Sequence, residues 1–126
     1  VIVVGINPSS ARSITAGSTL ARVHRWMTYC GETTYDFTNV VLTPGDYSRG
    51  MVDFGDLSRS VSGYERVVAL GDFVSYCLMR AGVDHYVAPH PSGRNRKMND
   101  QCFVTVQIEG LRAYLEVSEP LRALND

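Results

Sequence analysis

The chain has 126 residues, 44% of them apolar and 20% charged, and a formal net charge of −1. That length suits a single domain over residues 1–126, able to bury roughly two-thirds of its unfolded surface. The near-zero charge argues against a protein that coats nucleic acid non-specifically. No apolar run approaches the ~18 residues of a membrane span and no signal-peptide pattern is present, so a cytosolic location without a membrane partner is expected.

Val1–Val4 is a β-branched apolar run closed by Gly5, the pattern of a strand buried on both faces. A polar loop then leads to Gly17. Ser18 or Thr19 can cap a helix through about Cys30, in which Leu20, Val23, Met27 and Cys30 recur at helical spacing and Gly31 is the stop. Tyr35–Leu42 reads as a second strand, and Thr43-Pro44-Gly45-Asp46 as a turn-rich break before a loop reaching Met51. Asp53–Ser62 has the pattern of a short amphipathic helix using Phe54, Leu57 and Val61, and Arg66–Leu70 that of a third buried strand.

Gly71-Asp72 opens another helix, with Phe73, Val74, Cys77, Leu78 and Ala81 on its apolar side and Gly82 after it. Asp84–Ala88 is the fourth strand. After a loop from Pro89 to Met98, Asn99 or Asp100 can cap a C-terminal helix running toward Glu116. The β-branched Val104, Thr105, Val106 and Ile108 pull that segment toward strand. Strands alternating with helices predict an α/β fold, a small three-layer sandwich on a four-stranded parallel sheet whose strand exits share one rim.

Cys30, Cys77 and Cys102 are isolated, without CxxC spacing or paired histidines. They read as small buried residues in a reducing compartment, with neither a metal site nor a disulfide framework indicated. His24 on a helix and His85 on a strand read as surface or packing residues. No GxGxxG, Walker A or GxSxG pattern is present, which removes the main support for dinucleotide, nucleoside triphosphate and serine-hydrolase chemistry.

The rim at the strand exits is where open α/β sheets bind ligands. Asn7, stiffened by Pro8, follows the first strand, Asn39 ends the second, and His90, Ser92, Arg94 and Asn95 follow the fourth. Gly5-Ile6-Asn7-Pro8 resembles the first active-site motif of the uracil-DNA glycosylase superfamily, in particular the GINPG of its mismatch-specific uracil/thymine branch. His90-Pro91-Ser92-Gly93-Arg94-Asn95 resembles the second motif, in the HPSPRN form of the single-strand-selective monofunctional branch. Phe37-Thr38-Asn39-Val40-Val41 is similar to the intervening strand whose Asn reads the base, and Ala69-Leu70-Gly71 to a strand that ends in Gly before a helix. The ordered set spans residues 1 to about 100. Ser9 stands where those branches have Gly, and Gly93 where they have a second Pro. Asn7-Pro8-Ser9 with Thr19, Arg22 and Trp26 also resembles a poorly characterised bacterial and phage family related to this fold.

The resemblance implies a monofunctional DNA glycosylase, metal-free and without a cofactor, that hydrolyses the N-glycosidic bond of uracil or a related pyrimidine flipped out of DNA. Asn7 would place the water and His90 would hydrogen-bond the departing base. Gly5, Ile6, Pro8, Ser9, Phe37 and Asn39 would form the base pocket, with Phe37 or Trp26 as stacking face. Ser10, Ser92, Gly93, Arg94, Asn95, Arg96 and Lys97 would contact DNA, single- or double-stranded, bound by a monomer. Each residue also has an ordinary structural role open to it. Asn is favoured in a turn before Pro, an inward strand Asn can satisfy backbone groups, a loop His can cap them, and an aromatic such as Phe37 or Trp26 in an α/β core is more often packing. Two other functions stay open: a catalytically weak nucleic-acid or modified-base reader, and an enzyme on free nucleosides or nucleotides.

Overall fold

The computed structural model describes residues 1–7, 19–91 and 96–125, with side chains for all of these except 96 and 117–125. Four strands, β1 (Ile2–Gly5), β2 (Asp36–Asn39), β3 (Val67–Leu70) and β4 (Tyr86–Ala88), form one sheet in the order β2-β1-β3-β4. All three pairings are parallel, with Gly5 opposite Asn39 and Val4 opposite Ala69. β1 and β3 are buried along their whole length, as the two central strands of a sheet covered on both faces must be.

The helices are α1 (Thr19–Tyr29), α2 (Phe54–Val61), α3 (Asp72–Arg80) and α4 (Gln101–Asn125). From β1 the chain steps one way to β2, then back across β1 to β3 and on to β4. Right-handed crossovers therefore place α1 on one face of the sheet and α2 and α3 on the other. The core divides accordingly. Ile2, Val4, Val67 and Ala69 pack with Leu57, Val61, Val74, Cys77 and Leu78 of α2 and α3. Val3, Val68, Leu70 and Ala88 pack with Val23, Met27, Ile108 and Leu111 of α1 and α4. The result is an α/β protein of three layers.

Several boundaries differ from expectation. β2 covers only Asp36–Asn39 of the expected Tyr35–Leu42. Beyond Asn39 the chain still pairs with the end of β1, Val40 N–H donating to Gly5 O (3.0 Å) and Val41 N–H to Ile6 O (2.8 Å). Val40 and Val41 turn into the α2/α3 core instead of continuing the ladder, while Leu42 is left exposed. Asp53 caps α2 by accepting from Asp56 N–H (2.9 Å). Thr19 is the first helical residue of α1, and Ser18, the other expected cap, lies outside the described residues.

α4 is a helix despite its β-branched start, and it runs past Glu116 to Asn125. Asp100 caps it, accepting from Phe103 N–H (3.1 Å). Strand propensity spans only about 1 kcal/mol, whereas each fully buried Ile or Leu contributes about 1.5–3 kcal/mol. Val104, Ile108, Leu111 and Leu115 reach the core only at helical spacing, so burial decides. The same phase corrects one cysteine: Cys30 and Cys77 are buried, but Cys102 is exposed because it points away from the Val104 side of α4. His85 precedes β4 instead of lying within it. Its Nδ1–H donates to Val83 O (2.8 Å) and its Nε2 shares a hydrogen bond with the Ser75 hydroxyl (2.7 Å), a packing role that also satisfies buried Ser75. No helix of the described residues is long and apolar enough to cross a membrane.

Candidate functional site

β1 is where successive crossovers change direction, and in open parallel sheets the carboxyl ends of strands at such a switch point form a ligand crevice. A cavity of about 440 Å³ opens there, within the ordinary size range of small-molecule sites. Gly5, Ile6 and Asn7 line it from the end of β1, Phe37 and Asn39 from β2, Leu70 from β3, and His90 and Pro91 from the segment after β4. Thr19 and Leu20 contribute the start of α1. Residues far apart in sequence thus meet because four parallel strands end on the same side.

The Asn7 carboxamide has a defined orientation. Its Nδ2 group donates to two backbone carbonyls, Thr43 O (3.1 Å) and Gly45 O (2.7 Å). Only an NH2 group can meet two carbonyl acceptors, so Oδ1 is the polar atom left for a ligand or water. The same bonds fasten the turn after β2 to the exit of β1. Asn7 therefore combines a loop staple with an oriented acceptor.

Gly5 explains how Asn39 and Phe37 come so close to the neighbouring strand. A methyl group on Gly5 would stand 2.8 Å from Asn39 Oδ1 and 2.9 Å from Phe37 Cζ, nearer than real Cβ atoms come. Phe37 and Asn39 lie on the same face of β2, and both border the cavity. Half-exposed Phe37 offers an apolar surface beside the planar donor and acceptor of Asn39.

Burial holds the His90 imidazole below the ordinary histidine value, so the ring is neutral at pH 7. Gly71 makes room for it. Gly71 has φ +92°, and a Cβ there would come within 3.0 Å of His90 Cβ, so the residue that turns β3 into α3 also backs the His90 side chain. Next to His90, Pro91 is fully buried, and its carbonyl accepts from Arg22 Nη1 of α1 (2.8 Å). That bond secures the exit of β4 against the helix.

Gly5, Ile6, Asn7, Phe37, Asn39 and His90 are accordingly brought together. Pro8, Ser9, Ser10, Ser92, Gly93, Arg94 and Asn95 lie outside the described residues. Arg96 begins a 3₁₀ turn, Arg96–Asn99. Lys97 borders a neighbouring hollow of about 350 Å³ that shares His90 and also includes Gly71, Asp72, Phe103 and Gln107. Of the two aromatics, Phe37 borders the cavity, whereas Trp26 packs partly against the α1/α4 core and lines a separate groove beside α1, because Val23 and Met27 occupy the core-facing side of that helix. Thr19, Leu20, Leu70 and Pro91 also line the cavity, although in the sequence they hold capping, core or motif positions and no pocket role.

Among the described residues no group of three or more His, Cys, Asp and Glu side chains converges as metal ligands would. What the cavity offers is an oriented amide oxygen, a planar amide, an aromatic surface and a neutral imidazole. Such a set can bind and polarise a flat, hydrogen-bonding heterocycle. No family model, curated protein or solved structure matches the chain.

Proposed function

We propose that the protein is a monofunctional DNA glycosylase with a fold of the uracil-DNA glycosylase type, removing uracil or a related pyrimidine from DNA. The observation that carries this reading is the convergence of Asn7, Asn39 and His90 on one cavity at the β1 switch point.

In the proposed reaction a flipped nucleotide puts its base against Asn39 and Phe37. One carboxamide can accept from uracil N3–H and donate to O4, whereas the N4 amino group of cytosine would oppose a donor. As the C1′–N1 bond breaks, its electron pair passes to the base and the sugar becomes cation-like. Neutral His90 stabilises the negative charge gathering on the base carbonyl by donating a hydrogen bond, and its depressed pKa keeps it in that form. Asn7 Oδ1 holds a water for attack on C1′. An amide is a poor base, but a sugar cation is strongly electrophilic, so orientation matters more than basicity. Hydroxide equivalent from that water bonds to C1′, and its proton ends on the base or in solvent.

The test is incubation with single- and double-stranded oligonucleotides carrying uracil, thymine mismatches or 5-modified pyrimidines, followed by detection of abasic sites. Abasic sites that disappear with Asn7→Ala and His90→Ala support the proposal. Binding without abasic sites makes the protein a base reader, and activity confined to mononucleotides makes it a nucleotide enzyme. Either outcome overturns the glycosylase reading.

A further inference from the structure

Resting on the nucleic-acid reading of the cavity, we infer that a second groove, between α1 and the start of α4, holds a nucleotide of the same strand next to the flipped one. Its phosphate would lie against Arg22 and Arg25 and its base against Trp26.

The groove has a volume of about 430 Å³ and is lined by Arg22, Arg25 and Trp26 of α1 together with Met98, Asn99, Gln101 and Val104. Two arginines line it and, among the described residues, no carboxylate does. The nearest acid in sequence, Asp100, is turned to its own helix, its Oδ1 accepting Phe103 N–H. Trp26 has one side packed on the α1/α4 core and is only partly buried. Guanidiniums, a partly exposed indole and two side-chain amides match the parts of a nucleotide: a phosphate for the fork of an Arg, a base for an aromatic surface, and polar edges for the amides.

Continuity with the cavity comes from Arg22. It lines the groove and donates through Nη1 to the carbonyl of Pro91, which lines the cavity. One turn of α1 therefore separates the two sites, with Thr19 and Leu20 on the cavity and Arg22, Arg25 and Trp26 on the groove. A strand that delivers one base to Asn39 would pass its neighbour along α1. The net charge of −1 is no obstacle, because the attraction is local.

Trp26 is the only tryptophan of the chain, so its fluorescence reports on this groove alone. The wild-type protein is titrated with a short oligodeoxythymidylate carrying an end label, following Trp26 emission and label anisotropy together, with thymidine monophosphate and inorganic phosphate as separate arms. Quenching of Trp26 that parallels strand binding and weakens with salt is expected. Arg25→Ala, an exposed position, should weaken strand binding roughly tenfold, the equivalent of one charge-assisted hydrogen bond, with Arg25→Lys restoring part of it. Strand binding with unchanged Trp26 emission overturns the inference, as does equal quenching by the mononucleotide at the same concentration. Absence of strand binding overturns it as well. Quenching does not require cleavage: quenching without abasic sites keeps the groove and removes the glycosylase, whereas abasic sites without quenching do the reverse.

Discussion

At Gly5 an added methyl group would strike Asn39 Oδ1 and the Phe37 ring together. Gly5→Ala should therefore push both side chains off the cavity wall, costing about 1–3 kcal/mol of stability as overpacking does and more in base binding. Thermal unfolding and cleavage of a uracil oligonucleotide measure the two losses separately; an unaltered cleavage rate would show that the Asn39 position is not needed. Asn39→Asp replaces the donor half of the amide with an acceptor and should shift preference from uracil toward cytosine, read as the ratio of abasic sites from the two substrates. His90 gives a pH signature. Its folded pKa lies below the ordinary value near 6.5 that the unfolded chain keeps, so between the two values the unfolded state binds more protons. The stability is fully present above about pH 6.5 and is lost as pH falls toward the folded value. His90→Gln should flatten that part of a denaturation-against-pH profile, and an unchanged profile would mean that His90 is not the buried group responsible.

Between elements, side-chain contacts decide what local patterns leave open. α4 meets β4 where Tyr86 lies on the helix, its hydroxyl donating to Gln107 O (2.7 Å) and its ring stacked on Tyr114. Gly110 leaves the space that the Tyr86 hydroxyl fills. At Gly110→Ala an overpacking cost toward the upper part of about 1–3 kcal/mol, because Tyr86 is pinned twice, is set against the ~1 kcal/mol that alanine gains in helix propensity, and the net effect should be a loss of up to about 2 kcal/mol. A raised melting temperature would contradict this. Strand and helix positions were largely legible from apolar patterning, since β1 and β3 are continuous apolar runs buried on both faces and α2 and α3 show the helical repeat of the face they bury. The end of β2 was not, because Val40 and Val41 look like strand residues and only tertiary packing sends them into the α2/α3 core. Nor could local sequence show that Asn7 is held by Thr43 and Gly45, or that Trp26 faces away from the cavity.

For the whole molecule, the reversal of strand order at β1 is what turns scattered polar residues into one site. The sequence placed Asn7, Asn39 and His90 at strand exits, and the sheet order β2-β1-β3-β4 brings those exits to a common cavity. The net charge of −1 gives no overall attraction for a strand, so the proposed binding rests on local basic side chains and its affinity should fall with ionic strength. Arg96→Ala, in the basic run after the second motif, should lower the slope of log affinity against log salt by about one phosphate contact, ~0.7 for single strands; a slope near zero in the parent protein would remove DNA as the partner. The most direct measurement is the recovery of free base from a uracil-containing oligonucleotide, quantified by mass spectrometry beside the DNA product. Free uracil equal in amount to intact-backbone abasic strand, with both lost in Asn7→Ala and His90→Ala, is the predicted result. Full recovery of uracil still joined to the strand, from protein shown to bind that strand, would contradict the proposed function.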